Sequence, residues 1–263
     1  MQVNTNPRGA FAEQTEQTGG AGLQADIKTM TAIGVYAAAV VTCITVQNSR
    51  GVKRVEPLAP DLVEAQVRAV IEDHHVTHIK IGMVGSTEIA QAIHSILIDY
   101  PEIKVVYDPV FSTENNGLLS DNDLVDSVRE LLLPLTTVLT PNIFEAHILT
   151  PGSDTAAAAA MGILETGCEN VLLTGTHGKT SDVVHALYSN HRELEQFHYQ
   201  RLPHKYHGSG FTLASSVAAQ IALGQDVLGA VRKGLEYTRK TLLNANRIGM
   251  GQYHPNRFFW DKK

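Results

Sequence analysis

The sequence predicts a doubly wound α/β domain, built on a mostly parallel sheet with helices on both faces. Three observations predict it. Apolar runs of strand length alternate with helical periodicity at least five times along the 263 residues, as repeated parallel β-α-β units require. Residues 37–46, AAAVVTCITV, are β-branched and nearly continuous in apolar character, which suits a strand covered on both faces. No linker or repeat divides the chain, and the one low-complexity run, AAAAA at 156–160, reads as a helix face. Residues 1–263 therefore read as one domain.

In order, residues 1–18 are polar and weakly patterned. Only Ala10, Phe11 and Ala12 offer a strand core, a short one, so this N-terminal segment is atypical. Three glycines, Gly19, Gly20 and Gly22, precede a helical pattern over 23–33, and the strand at 37–46 follows. The turn QNSRG at 47–51 leads to a short edge strand at 52–55. Residues 60–71 place Leu62, Val63, Val67, Val70 and Ile71 at helical spacing. A strand at 78–83 and a helix at 88–98 come next, the helix carrying Ile89, Ile93, Ile96 and Leu97. The strand 104–107 ends on Asp108-Pro109, a helix covers 121–133, and the strand 137–139 ends on Thr140-Pro141-Asn142. Asn142 stands where it would cap a short helix that carries Glu145. A helix over 156–166 leads to a strand at 170–173 that ends in Thr174-Gly175-Thr176-His177-Gly178. Residues 183–188 and 194–199 form an antiparallel hairpin across 189–191. The run HGSGF at 207–211 opens a helix over 213–223. A long amphipathic helix over 227–243 and an irregular tail, GMGQYHPNRFFW, end the sequence.

Composition narrows the function. The chain is 43% hydrophobic and 18% charged, ordinary for a soluble domain. A formal charge of −6 with no basic stripe argues against nucleic acid as a partner. Cys43 and Cys168 sit among apolar residues, which suits a reducing cytosol and not a disulfide framework. No apolar run reaches a membrane span, and the start lacks a basic-then-apolar signal layout, so a cytoplasmic protein is expected. The 12 histidines are scattered without His-x-Glu or Cys-x-x-Cys spacing, so no structural zinc site is expected.

In such sheets ligands sit at the carboxyl ends of the strands. That rule gathers Asp108, Asn142, Glu145 and the turn from Thr174 to Gly178. Gly208-Ser209-Gly210 joins them. A glycine-flanked helix start leaves several backbone N–H groups aimed at one point, and the helix dipole adds positive charge there. Two carboxylates, a Gly-rich turn and an anion-binding helix start suit a nucleotide phosphate with Mg²⁺, which takes oxygen ligands. Each residue also has a plainer reading: a cap or turn for Asp108, a solvated helix position for Glu145, a bare Gly-rich loop for 208–210.

The stretches GGAGLQADIKTMTAIGVYAAAVVTCITVQNSRGV (19–52), KIGMVGS (80–86), YDPVFS (107–112), LTPNIFEA (139–146) and YHGSGFTLAS (206–215) run in the order and spacing of a known family. Over roughly residues 19–260 the chain resembles the hydroxymethylpyrimidine/phosphomethylpyrimidine kinases of thiamine biosynthesis, members of the ribokinase-like superfamily with a three-layer α-β-α fold. The resemblance implies ATP-dependent phosphorylation of 4-amino-5-hydroxymethyl-2-methylpyrimidine and then of its monophosphate. It assigns Gln47 to the aminopyrimidine, which an amide can both donate to and accept from. It assigns Ala21, Asp26, Met83 and Val110 to the same pyrimidine pocket, with plain core as the other reading of Met83. Asp108, Asn142 and Glu145 fall to the Mg-phosphate region, Asp108 and Glu145 as its metal carboxylates, with Thr174 and Thr176 in the nucleotide-binding turn. Gly208, Ser209, Gly210 and Phe211 map to the anion hole and the catalytic position. The resemblance also implies a homodimer.

Three departures qualify it. Phe211 stands where this branch has cysteine and related sugar kinases have aspartate, the proposed bases, and a phenyl ring accepts no proton. Gln14 replaces an expected glycine and Glu16 an expected aspartate in the turn after the first strand. Thr174 replaces a phosphate-binding lysine, for which Lys179 or His177 could partly substitute. Two other readings therefore stand beside the kinase: a degenerate homologue that binds a pyrimidine or nucleotide without efficient turnover, and a pyridoxal kinase-like activity.

Overall fold

The chain opens with β1 (Arg8–Thr15), a full strand of 8 residues where the sequence alone offers only a stunted core. The structure is a computed structural model and describes residues 8–113, 117–118, 120–175 and 181–261. α1 (Gly22–Ile33) follows the glycine turn, and β2 (Tyr36–Asn48) and β3 (Gly51–Pro57) form an antiparallel hairpin. α2 (Pro60–Asp73) begins on a proline, whose missing N–H costs nothing in a first turn. β4 (His78–Ile81), α3 (Thr87–Asp99) and β5 (Lys104–Tyr107) make the next β-α-β unit, with Ser86 capping α3 through the Ile89 N–H at 3.3 Å. β6 (Ser112–Thr113) and β7 (Gly117–Leu118) form a small ribbon that the sequence reading lacks. α4 (Asn122–Ser127) runs into a π turn at Val128–Leu132 and a 3-10 turn at Leu133–Leu135. The single helix expected over 121–133 is thus irregular at its end, where Pro134 supplies no N–H.

β8 (Val138–Leu139), α5 (Ile143–Leu149), α6 (Ala156–Glu165) and β9 (Asn170–Leu173) come next. β10 (Asp182–Ser189) and β11 (Arg192–Gln200) form the expected hairpin. Its turn residues Asn190 and His191 have φ of 51° and 53°, the left-handed pair a two-residue hairpin loop needs. α7 (Ser209–Ala222) and α8 (Val227–Leu243) complete the regular structure.

Nine strands form one sheet in the order β11-β10-β9-β8-β5-β4-β1-β2-β3. Pairing is parallel from β9 through β2 and antiparallel at both ends. β1 is therefore central, in register with β2 from Arg8↔Tyr36 and with β4 from Gly9↔His78. Side chains alternate between two apolar layers. On one face Ile79, Ile81, Val105 and Leu139 pack with Val63, Ile89, Ile93, Leu149 and Ile163 of α2, α3, α5 and α6. On the other, Val106, Val138, Leu172 and Leu187 pack with Met30, Leu213, Val217 and Leu235 of α1, α7 and α8. The result is the expected three-layer α-β-α arrangement. Cys43 and Cys168 are free and buried. Among the described residues no helix is long and apolar enough to cross a membrane.

α7 is the helix that positions the site. Small residues, Ala214, Ser215, Ser216, Ala218 and Ala219, bury its length and let it approach the middle of the sheet closely. Its N-terminus thereby arrives at the edge where the parallel strands end.

Candidate functional site

Gly208 caps α7 with φ of 82°, a left-handed conformation that costs glycine little. A Cβ there would also stand 1.9 Å from the carbonyl oxygen of Gly20. Two glycine turns, 19–22 and 208–210, thus touch, and Arg257 from the tail fastens them. Its buried guanidinium donates to Gly20 O at 2.7 Å, to Thr212 Oγ1 at 3.1 Å and to Gly208 O at 3.5 Å. Burial pulls that guanidinium down to about 10, against the opposing charges of Asp26 and Glu16. The first-turn amides of α7 have no acceptor within the helix and face a cleft of about 1000 Å³.

The cleft runs past Gln14, Gln47, Met83, Asp108, Val110, Asn142, Glu145, Thr174 and the segment 208–211. Asp108 follows β5, and one of its oxygens lies 3.8 Å from the point where a Gly210 Cβ would be. Its other oxygen accepts from Thr140 Oγ1 at 3.1 Å. Burial, aided by the charge of Glu13, pushes Asp108 up to about 6 against the pull of Lys80. Glu145 is raised well above the ordinary carboxylate range, by burial first and by the negative charge of Asp108 second. Two buried carboxylates that repel each other favour a bound cation. Asn142 and Glu145 also form a reciprocal capping box at α5, each bond 2.9 Å. The cap predicted for Asn142 is present.

Beneath the cleft lies a wholly buried charge cluster. Lys80 Nζ bonds Glu13 Oε2 and, at 2.9 Å, Asp26 Oδ2. Asp26 Oδ1 accepts from Ser215 Oγ at 2.5 Å, and Glu13 Oε1 accepts from the N–H of Gln14 at 2.8 Å and of Met83 at 2.9 Å. Burial alone would lower the Lys80 ammonium; Asp26, Glu13 and Asp108 outweigh it and keep it charged. The Phe211 ring covers that ammonium, with Nζ 5.0 Å from the ring centroid.

These partners explain the polar first strand. Gln14 accepts from Thr45 Oγ1 at 2.9 Å through its Oε1. Glu16 gathers the glycine turn: it accepts from Thr18 N at 2.9 Å, Gly20 N at 2.6 Å and Ala21 N at 2.9 Å, and from the Thr18 hydroxyl at 2.7 Å. Burial raises its carboxyl, yet His207 and the Ala21 and Thr18 donors together bring it down to about 2. Glu16 therefore closes the turn in which the family pattern has aspartate.

The cleft unites most of the residues that the sequence marks: Gln47, Met83, Val110, Asp108, Asn142, Glu145, Thr174 and Gly208 to Phe211. Asp26 and Ala21 are different. Both are 0% exposed, and Asp26 gives both oxygens to Lys80 and Ser215, so it supports the wall instead of lining it. Thr176, with His177 and Lys179, lies outside the described residues. The sequence reading assigns no role to Glu13, Lys80 or His207, although Lys80 opens the KIGM run and His207 precedes Gly208. It also leaves out the far half of the cleft, where His185, Tyr199, Thr238 and Arg239 converge. Those positions carry no motif; only the packing of β10 and β11 against α8 assembles them.

A sequence profile described as phosphomethylpyrimidine kinase matches residues 16–256. The chain is 36% identical over 263 residues to a hydroxymethylpyrimidine/phosphomethylpyrimidine kinase of Rhizobium meliloti, covering 94% of this chain and 96% of that one. It is 35% identical to a chloroplastic thiamine biosynthetic bifunctional enzyme of Arabidopsis thaliana, over 93% of this chain. It spans only about half of that enzyme, 48% of its length. Among solved structures, the ADP complex of a Bacillus subtilis pyridoxal kinase superposes with a TM-score of 0.88 at 25% identity, over 98% of this chain and 100% of the other. The fold is ribokinase-like.

Proposed function

The chain belongs to the phosphomethylpyrimidine kinase family, and we propose that it transfers the γ-phosphoryl group of ATP to the hydroxyl of 4-amino-5-hydroxymethyl-2-methylpyrimidine, and then to its monophosphate. One observation carries the reading: Gln47, the α7 N-terminus and the Asp108–Glu145 pair share one continuous cleft. The pyrimidine lies against Gln47, Met83 and Val110. The nucleotide occupies the half lined by His185, Tyr199 and Arg239. The transferred group meets the amides of Ser209, Gly210 and Phe211.

In the reaction the hydroxyl oxygen forms a bond to the γ-phosphorus as the bond to the β–γ bridging oxygen breaks, and ADP leaves. The α7 amides and helix dipole stabilise charge on the equatorial oxygens. Asp108 and Glu145 would hold Mg²⁺, and their mutual repulsion without a cation fits that role. Bound there, the ion would neutralise phosphate charge. Phe211 offers no base, so positioning and electrostatics supply the rate, and the hydroxyl proton passes to solvent or phosphate. The two free buried thiols suit a cytosolic setting.

A binder with weak turnover is the second reading, and Phe211 is the observation that favours it. Calorimetry on Gln47→Ala tests the placement. Affinity for hydroxymethylpyrimidine should fall about tenfold, the worth of one good hydrogen bond, with MgATP affinity unchanged. The reverse pattern would refute the pocket.

A further inference from the structure

Inside the protein the side-chain amide of Gln47 meets His207, the residue before the α7 glycine turn. Gln47 Nε2 and His207 Nε2 lie 3.2 Å apart. An amide NH₂ only donates, so the imidazole nitrogen that faces it is the bare acceptor, with the ring proton on Nδ1. The Glu16 carboxylate is the other group near that ring, but its Oε2 stands 3.9 Å from Nε2, farther than the Gln47 amide, and it already accepts from Thr18, Gly20 and Ala21. With Nε2 committed to His207, Gln47 Oε1 is the atom left to accept. Thr45 Oγ1 lies 3.4 Å from that oxygen, but 2.9 Å from Gln14 Oε1 and 3.2 Å from Thr15 O. One hydroxyl has one proton, and the shorter acceptors hold it. Gln47 Oε1 keeps its acceptor capacity for the cleft.

His207 is itself held firmly. Its backbone N–H donates to Tyr253 O at 2.8 Å. Its ring packs so closely on Gly20 that a Cβ there would fall 2.5 Å from Cδ2. His254 borders it at 5.5 Å between ring centroids, and Glu16, Lys28 and Arg257 are the charges around this pair of rings.

We propose that His207 is a positioning residue for substrate reading: its Nε2 lone pair locks the Gln47 amide with the carbonyl toward the cleft. The site thereby selects a pyrimidine with an exocyclic amino donor over one with an oxo acceptor at the same carbon. The proposal rests on the reading that Gln47 meets the pyrimidine. A free amide could turn over and serve either ligand; a locked one rejects the oxo form by leaving two acceptors face to face.

The test uses the full chain, His207→Phe and His207→Gln, with hydroxymethylpyrimidine and its 4-oxo analogue. Affinities come from calorimetry and kcat/KM from ADP release. His207→Phe keeps a ring but no acceptor. It should lower the amino-over-oxo preference about tenfold, through KM, with the KM for ATP within about twofold. His207→Gln, whose Oε1 can accept, should restore much of the preference. An unchanged preference in His207→Phe, or an equal rise in the KM for ATP, would overturn the proposal. Gln47→Ala separates the two claims. If it leaves pyrimidine affinity intact, the pocket reading fails and the lock with it; if it weakens binding while His207→Phe keeps the preference, only the lock fails.

Discussion

At position 211 a phenyl ring covers a buried ammonium, which changes what a substitution there would do. Phe211→Cys would set a thiol in the first turn of α7, and a helix N-terminus lowers a thiol from its usual value of about 8.5. The variant should therefore carry thiolate near neutral pH and turn over at least several-fold faster, within the ~10²–10⁴ range of general bases. An equal or lower rate in an ADP-release assay would show that no base acts from this position. Glu16 sets a second residue-scale expectation. Its folded pKa of about 2 lies below the ordinary 4.5, so its stabilisation is complete above about pH 4.5 and is lost as pH falls towards 2. Glu16→Gln keeps the shape and loses the charge. Urea unfolding should show the variant about 1–2 kcal/mol less stable at pH 7, with the gap closing by pH 2–3. A gap that stays constant with pH would assign Glu16 a packing role only.

The elements that carry the site differ in how openly the sequence shows them. α5 with its capping box, the β10–β11 hairpin and α8 follow from caps, turn residues and helical spacing, all local signals. β1 does not. Its Glu13, Gln14 and Glu16 look wrong for a central strand, and they fit because Lys80, Thr45 and the glycine turn answer them from distant parts of the chain. A single sequence displays the polar residue and hides its partner. α7 is read correctly as a glycine-started helix, yet its dependence on the 19–22 turn appears only in three dimensions. Gly208→Ala tests that dependence. A left-handed φ of 82° and a Cβ at 1.9 Å from Gly20 O should together destabilise the fold by about 1–3 kcal/mol. They should also lower kcat/KM for ATP about tenfold or more, because the amides move. Wild-type kinetics in a folded variant would show that this turn does not hold the phosphoryl group.

For the whole molecule, the sheet directs every parallel strand end to one edge, and the tail closes that edge. The tail joins the β2–β3 hairpin through Gly251 N to Ser49 Oγ at 3.1 Å and Gln252 N to Ser49 O at 3.1 Å. Through Arg257 it reaches both glycine turns. The tail thus ties the Gln47 end of the cleft to the α7 end, and a transfer between two bound ligands depends on such fixed spacing. The overall architecture alone does not name the acceptor, since a pyridoxal kinase shares it at a TM-score of 0.88. The family profile does the discriminating. The most direct measurement is therefore acceptor-dependent ADP release from MgATP by the unmodified protein, with hydroxymethylpyrimidine and pyridoxal compared side by side. Transfer to the pyrimidine requires that the pyrimidine drive ADP release with the higher kcat/KM. No pyrimidine-dependent release, or a preference for pyridoxal, would contradict it.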